Sequence, residues 1–204
     1  MKKYVTELLG TFLFVFAIGN IVIGGATPAP LFIGLTLAVM VFAGGHISGA
    51  HYNPAVTLAV WLRGKCDTKD VVPYIVAQIA GASLAAVTVK YLAGGVEPKA
   101  VADIGKAFTA EVIGTLALAW VVLNVATTKA NQGNSFYGLA IGCTVASMAA
   151  AVGGISGGAF NPAVAIGGVI MGLFKASDLW IYLVACPIGA FIAAQIFKGI
   201  KADG

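Results

Sequence analysis

The sequence predicts an all-α membrane protein of six transmembrane helices plus two re-entrant half-helices, arranged as an inverted repeat of two three-span halves. Three observations carry that prediction: the composition, the lengths of the apolar runs, and short motifs that recur farther along the chain. Of 204 residues, 59% are hydrophobic and only 10% charged, and the mean hydropathy is +0.95. Ordinary soluble domains carry about 25% charged residues, so this chain is built for lipid. Many of its 27 glycines fall inside the apolar runs, where small residues let helices pack backbone to backbone in a bilayer.

The first element opens with Lys2 and Lys3 before a long apolar run, and no A-x-A-like cleavage site ends that run. It reads as a retained span and not a signal peptide. A helical crossing needs about 20 apolar residues, and the runs at 4–23, 31–45, 71–93, 108–126, 136–154 and 179–200 supply six candidates. Two further apolar segments, 54–62 and 162–173, are too short to cross, and each begins at an Asn-Pro pair. These read as half-helices.

Basic residues are enriched in short cytoplasmic loops. With both ends inside, Lys2, Lys3, Arg63, Lys65, Lys69, Lys129, Lys198 and Lys201 are cytoplasmic, while Lys90, Lys99, Lys106 and Lys175 are outside. The bias predicts a multi-pass protein of the cell membrane with cytoplasmic N- and C-termini. A net charge of +4 needs no nucleic-acid partner to explain it.

Internal similarity defines the halves. Glu7, Gly10 and Thr11 recur as Glu111, Gly114 and Thr115, an offset of 104. Ile33-Gly34, Ile47-Ser48-Gly49, Asn53-Pro54-Ala55-Val56 and Gly81-Ala82 recur as Ile141-Gly142, Ile155-Ser156-Gly157, Asn161-Pro162-Ala163-Val164 and Gly189-Ala190, all at an offset of 108. One four-residue change of length after the first span reconciles the two offsets. Residues 1–103 and 104–204 are then equivalent repeats within one integral domain. Three crossings separate equivalent points, so the halves run in opposite directions, an arrangement that tends to place a transport site near the midplane.

Asn-Pro is a strong helix start: Asn caps, and Pro at the first helical position has no N–H to leave unsatisfied. As caps, Asn53 and Asn161 turn their side-chain oxygens toward their own helices, leaving each NH2 aimed away toward the axis. Two half-helices entering from opposite faces bring both amides and both positive helix ends to one point. That point donates hydrogen bonds to a passing oxygen and repels cations. Non-helical backbone at that depth survives only when buried in protein or lining water.

The two Glu-x-x-Gly-Thr motifs, the stretch Gly-His-Ile-Ser-Gly-Ala-His-Tyr-Asn-Pro-Ala-Val-Thr from Gly45 to Thr57, the second Asn161-Pro162-Ala163 and the six-plus-two count together resemble the major intrinsic protein family, the aquaporins and aquaglyceroporins. The resemblance covers essentially the whole chain. It implies a homotetramer in the lipid bilayer whose protomers each hold one pore, passing water or small neutral solutes passively, without enzyme chemistry or a cofactor. It implies a pore midplane at Asn53, Pro54, Ala55, Asn161, Pro162 and Ala163, with Val56 in packing. Glu7 and Glu111 then brace the re-entrant loops, and His51 lines the cytoplasmic vestibule. Members usually carry four filter residues toward the extracellular side, and here these fall on Ile33, Ala149, Gly158 and Val164.

At the filter the sequence departs from the pattern it resembles. Val164 stands where an arginine is expected, Ala149 where narrow water pores often have histidine, and Ala165 where glycerol-conducting members often have aspartate. Losing an arginine removes both a long side chain and a positive barrier to cations and protons. The expectation is a wide, apolar, weakly selective filter that admits water and solutes such as glycerol, urea or neutral metalloid hydroxides. A secondary transporter of the same architecture, with Glu7 and Glu111 as its intramembrane acids, a cation-leaky channel, and a non-conducting scaffold are the alternatives. His46 and His51 without nearby Cys or spaced carboxylates make no metal site. His46 reads as locally hydrogen-bonded, Cys143 and Cys186 as small packing residues, and Cys66 as a loop cysteine outside any disulfide framework. No Ser-His-Asp set or phosphate-binding loop stands out.

Overall fold

A computed structural model describes residues 1–200; Lys201, counted above among the cytoplasmic charges, lies outside the described residues. Eight α-helices follow in order: α1 Lys2–Ile23, α2 Ala29–Ser48, α3 Pro54–Leu62, α4 Thr68–Ala93, α5 Ile104–Thr127, α6 Tyr137–Ser156, α7 Pro162–Met171 and α8 Leu179–Gly199. Six of these are long and apolar enough to cross a membrane, and α3 and α7 are not. Among the described residues the only β-type pairing is an isolated bridge between Lys99 and Phe174.

Helix ends shift from the sequence expectation where polar residues extend an apolar run. α5 begins at Ile104 and not at 108, because the side chain of Asp103 caps it, accepting from the N–H of Lys106 at 3.0 Å. α2 continues past Gly45 to Ser48 and stops at Gly49, whose φ of 90° is left-handed. The second half-helix ends at Met171, two residues short of the expected 173. Gly172 there takes φ 90° and returns its N–H to the carbonyl of Val169.

The packing explains the glycines. α1 lies along α4, α5 along α8, and α2 along α6. At the α1–α4 crossing a Cβ on Gly81 would sit 2.3 Å from the Leu8 carbonyl oxygen, and at α5–α8 a Cβ on Gly189 would sit 2.4 Å from that of Val112. Between the halves, Gly34 and Gly142 face each other, and a Cβ on either would fall within 2.4 Å of the other's carbonyl oxygen. Helices this close can be built only from residues without side chains at the contact. The two half-helices interlock the repeats: α3 packs on α8 and α5 of the second half as well as on α4, and α7 packs on α4 and α1 of the first half as well as on α8.

Cys186 is fully buried, as a packing residue should be, but Cys143 on α6 is exposed, against the expectation of a packing residue.

Candidate functional site

Each half-helix begins the way its sequence dictates. Asn53 and Asn161 are extended, with φ −157° and −159°, and each is followed by Pro at the first helical position. The Asn53 side-chain oxygen accepts from the N–H of Ala55 at 2.8 Å, and that of Asn161 from Ala163 at 2.9 Å. Each cap so satisfies a donor that the first turn would otherwise leave open.

The amide NH2 groups do more than face the axis. Asn53 Nδ2 donates to the carbonyl of Phe160, and Asn161 Nδ2 to the carbonyl of Tyr52, both at 2.9 Å. The accepting residues have φ of 47° and 49°, a left-handed conformation that is uncommon outside glycine. A side-chain amide carries two N–H bonds, so each Asn spends one on tying the halves together and has a second beside it. Sequence reasoning missed this reciprocal tie, since its partners are 107 and 109 residues apart.

The loops preceding the half-helices hang on two buried carboxylates. Glu7 accepts from Ser48 Oγ at 2.6 Å, the N–H groups of His51 and Tyr52 at 2.9 and 2.7 Å, and Gln78 Nε2 at 2.8 Å. Glu111 accepts from Ser156 Oγ at 2.7 Å and the N–H groups of Ala159 and Phe160 at 3.0 and 2.7 Å, with the Cys186 thiol at 3.6 Å in the place of Gln78. Tyr74 and Tyr182 complete the pair, donating to the carbonyls of Ser48 and Ser156 at 2.7 and 2.6 Å. A carboxylate inside a span is expensive unless paired or hydrogen-bonded, and here loop backbone and neighbouring side chains supply the donors. Gln78 was missed in the sequence, although a lone Gln in an apolar run was a signal available to find it.

Two cavities open toward opposite faces. The one on the side where α2 and α5 end has a volume of about 690 Å³ and is lined by Asn53, Asn161, His46, His51, Val56 and Leu118 among others. By the even number of crossings it is also the side of both termini. The far-side cavity, about 610 Å³, is lined by all four expected filter residues, Ile33, Ala149, Gly158 and Val164, together with the loop segment 96–102.

Of the sequence expectations at this site, the one that changes is His46. Val56 is buried in the core, as a packing residue should be, and it also borders the terminal-side cavity as its repeat mate Val164 borders the far one. His46 also lines that cavity, and no hydrogen bond of its ring is found among the described residues. His51 does line it, with Nδ1 3.1 Å from the Thr57 hydroxyl and its ring edge-on to Tyr74 at 5.1 Å. Among the described residues no three His, Cys, Asp or Glu side chains gather where a metal could be held.

The arrangement is therefore two cavities of about 690 and 610 Å³, the first reaching a pair of amides at two helix N-termini, a geometry that suits passage of a neutral oxygen-bearing solute and disfavours a cation. Comparison with known proteins bears on the same region. The family described as Major intrinsic protein matches residues 1–197. The chain is 38% identical to a glycerol uptake facilitator protein-like 6 of Lactiplantibacillus plantarum, covering 95% of both proteins. It is 32% identical to the aquaporin AqpM of Methanothermobacter marburgensis, covering 99% of this chain and 98% of that one. In fold it resembles the aquaglyceroporin from Plasmodium falciparum, with a TM-score of 0.83, 24% identity, and 98% and 96% of the two chains covered.

Proposed function

The chain belongs to the major intrinsic protein family, and from that premise we propose a passive channel for water and small uncharged solutes with a wide, apolar, weakly selective filter. The observation that carries the reading is the reciprocal amide tie between Asn53 and Asn161, which lines the terminal-side cavity, with a second cavity beyond it toward the far side. A solute on the axis meets one free N–H from each Asn and two positive helix ends. Hydrogen bonding to a neutral oxygen is offered there, and a cation is opposed.

In this reading Ile33, Ala149, Gly158 and Val164 form the filter. None of them brings a charge or a side-chain donor. Water, glycerol, urea and neutral metalloid hydroxides are the solute class, and conduction needs neither catalysis nor a cofactor. The chain works as one integral domain of two repeats, 1–103 and 104–204. It sits in the cell membrane with both termini cytoplasmic, so that the terminal-side cavity with His51 is the inner vestibule, and it assembles as a homotetramer.

The transporter alternative needs a free acid to couple an ion, yet Glu7 and Glu111 are both occupied by loop donors. Purified protein in liposomes tests the proposal, with shrinkage and swelling measured in water, glycerol and urea gradients and a pH dye inside. Fast flux of water, glycerol and urea without proton leak is expected. Rapid water flux that excludes glycerol and urea would sink the wide-filter reading, and saturable, gradient-coupled uptake would replace the channel with a transporter.

A further inference from the structure

The place where the two cavities meet is not symmetric. Phe14 from α1, Val145 from α6 and Ala159 from the loop before α7 are the residues that line both, so they form the neck between them. All three are nearly closed off, at 4%, 6% and 8% exposure. Their repeat mates are Leu118, Leu37 and His51 by the offsets of 104 and 108, and these line the terminal-side cavity alone. Asn53 and Asn161 also line that cavity and not the far one. A neck on the symmetry axis would be made from pairs of mates. This one takes a single member of each pair, and so it is displaced from the amide pair toward the far side.

We infer that Phe14 is a specificity-determining residue: its ring, closed against Val145 and Ala159, sets the size limit on what passes from the far-side cavity to the two amides. The inference rests on the channel reading above. A benzyl side chain is the bulkiest group in the neck, facing only an isopropyl and a methyl. The far-side cavity does hold two rings, Phe174 and Tyr182, but its four expected filter residues hold none, and at Gly153 and Gly154 on its α6 wall an added Cβ would meet no atom within 4 Å, so that wall is slack. The collar is also pure hydrocarbon in its side chains, so a solute crossing it exchanges no hydrogen bond with them before it reaches the amide donors. Polar groups that lose partners pay for it, and a larger polyol loses more of them at once.

The test uses the whole protein in liposomes and compares glycerol with the longer polyols erythritol and ribitol. Phe14→Ala should raise ribitol flux relative to glycerol about tenfold, the order of effect that a change of one or two methylenes makes in a fitted apolar pocket. The shift should exceed that of Leu118→Ala, the repeat mate that lines one cavity only. Phe14→Trp should do the reverse, cutting glycerol flux relative to water by a similar factor, and it carries the test if the alanine variant does not reconstitute. Unchanged polyol ratios in both Phe14 variants, or an equal shift in Leu118→Ala, overturn the inference. Wild-type protein that passes neither water nor glycerol would overturn the channel reading instead, so the two failures are told apart.

Discussion

The two re-entrant loops have the same backbone and different side chains around it. In the first, Glu7 is joined by Gln78, which also donates to Thr57 at 2.9 Å, and Thr57 in turn meets His51. In the second, the mates of Gln78, Thr57 and His51 are Cys186, Ala165 and Ala159. What survives in both is the set of bonds that holds loop N–H groups, the capping Asn and the tyrosine on the flanking helix. The comparison separates what the fold requires, which is duplicated, from what each mouth does. At these three positions the first loop is furnished with polar groups, and the second carries two methyls and a thiol. The outer ends differ too: Asp70 on α4 takes the Lys3 ammonium and the Tyr4 hydroxyl, while its mate Asp178 takes the backbone N–H of Val101 in the loop that lines the far cavity.

The comparison breaks first at the carboxylates. Glu7→Gln and Glu111→Gln keep shape but turn one acceptor oxygen into a donor facing donors. Where the new NH2 replaces Oε2 of Glu7 it meets Tyr52 N–H and the Gln78 amide, and at Glu111 it meets Phe160 N–H and a thiol. Each orphaned buried donor costs about 1–3 kcal/mol, and 1 kcal/mol moves the melting point of a chain this size by roughly 2–4 °C. Both variants should therefore melt well below wild type in detergent, Glu7→Gln by several degrees more. Equal losses would mean that Gln78 contributes nothing to the brace.

Next come the amides, where the halves are alike and the effects should be too. Asn53→Ala and Asn161→Ala each remove a cap worth about 1 kcal/mol and a cross-tie worth about another. A similar drop in stability is expected from both, with water flux reduced in both liposome preparations. A variant that conducts normally after losing either Asn would show that the free N–H does not serve the solute.

Much of this was legible beforehand, for identifiable reasons. Run length and the exact repetition of Asn-Pro-Ala-Val revealed six spans and two half-helices, because bilayer thickness and a missing proline N–H act on the local sequence alone. The helix ends were less so: nothing in the apolar run said that Asp103 would cap α5, or that Gly172 would turn left-handed and stop α7. The positions of Glu7 and Glu111 were noticed, but their donors come from loops more than forty residues away. Phe14 could not be singled out, since one aromatic in an apolar run looks like any other until the cavities on both sides of it are seen.

The valines sharpen the comparison further. Val164→Arg puts a guanidinium into the far-side cavity, where the wall is loose, and should lower glycerol and urea flux about tenfold while water flux persists, since a fixed cation and lost width act together. Val56→Arg puts the same charge among His51, Lys65 and the half-helix of the other mouth. If the far side alone discriminates, the solute profile changes only in the first variant. Equal changes would mean that width matters at both mouths and that the asymmetry of the loops has no part in selection.

The two mates beside the carboxylates should differ, and the smallest effect of all is expected at Cys186. Gln78→Leu deletes a bond to a charged oxygen, worth about 1.5–3 kcal/mol, and also frees the Thr57 hydroxyl, so the loss should show as a lower melting point and faster amide exchange in the loop of His51. Cys186→Ala removes a thiol 3.6 Å from Glu111, a weak donor, together with one buried sulfur. The second loop keeps its three short bonds to Glu111, so the change should stay within about 1 kcal/mol and be nearly all packing. Cys186→Ser then decides between the two parts: a hydroxyl restores a donor in less volume. If it recovers the wild-type melting point, the thiol serves the carboxylate. If it melts with the alanine variant, Cys186 is there to fill space, and the second loop is held by its backbone N–H groups and Ser156 alone.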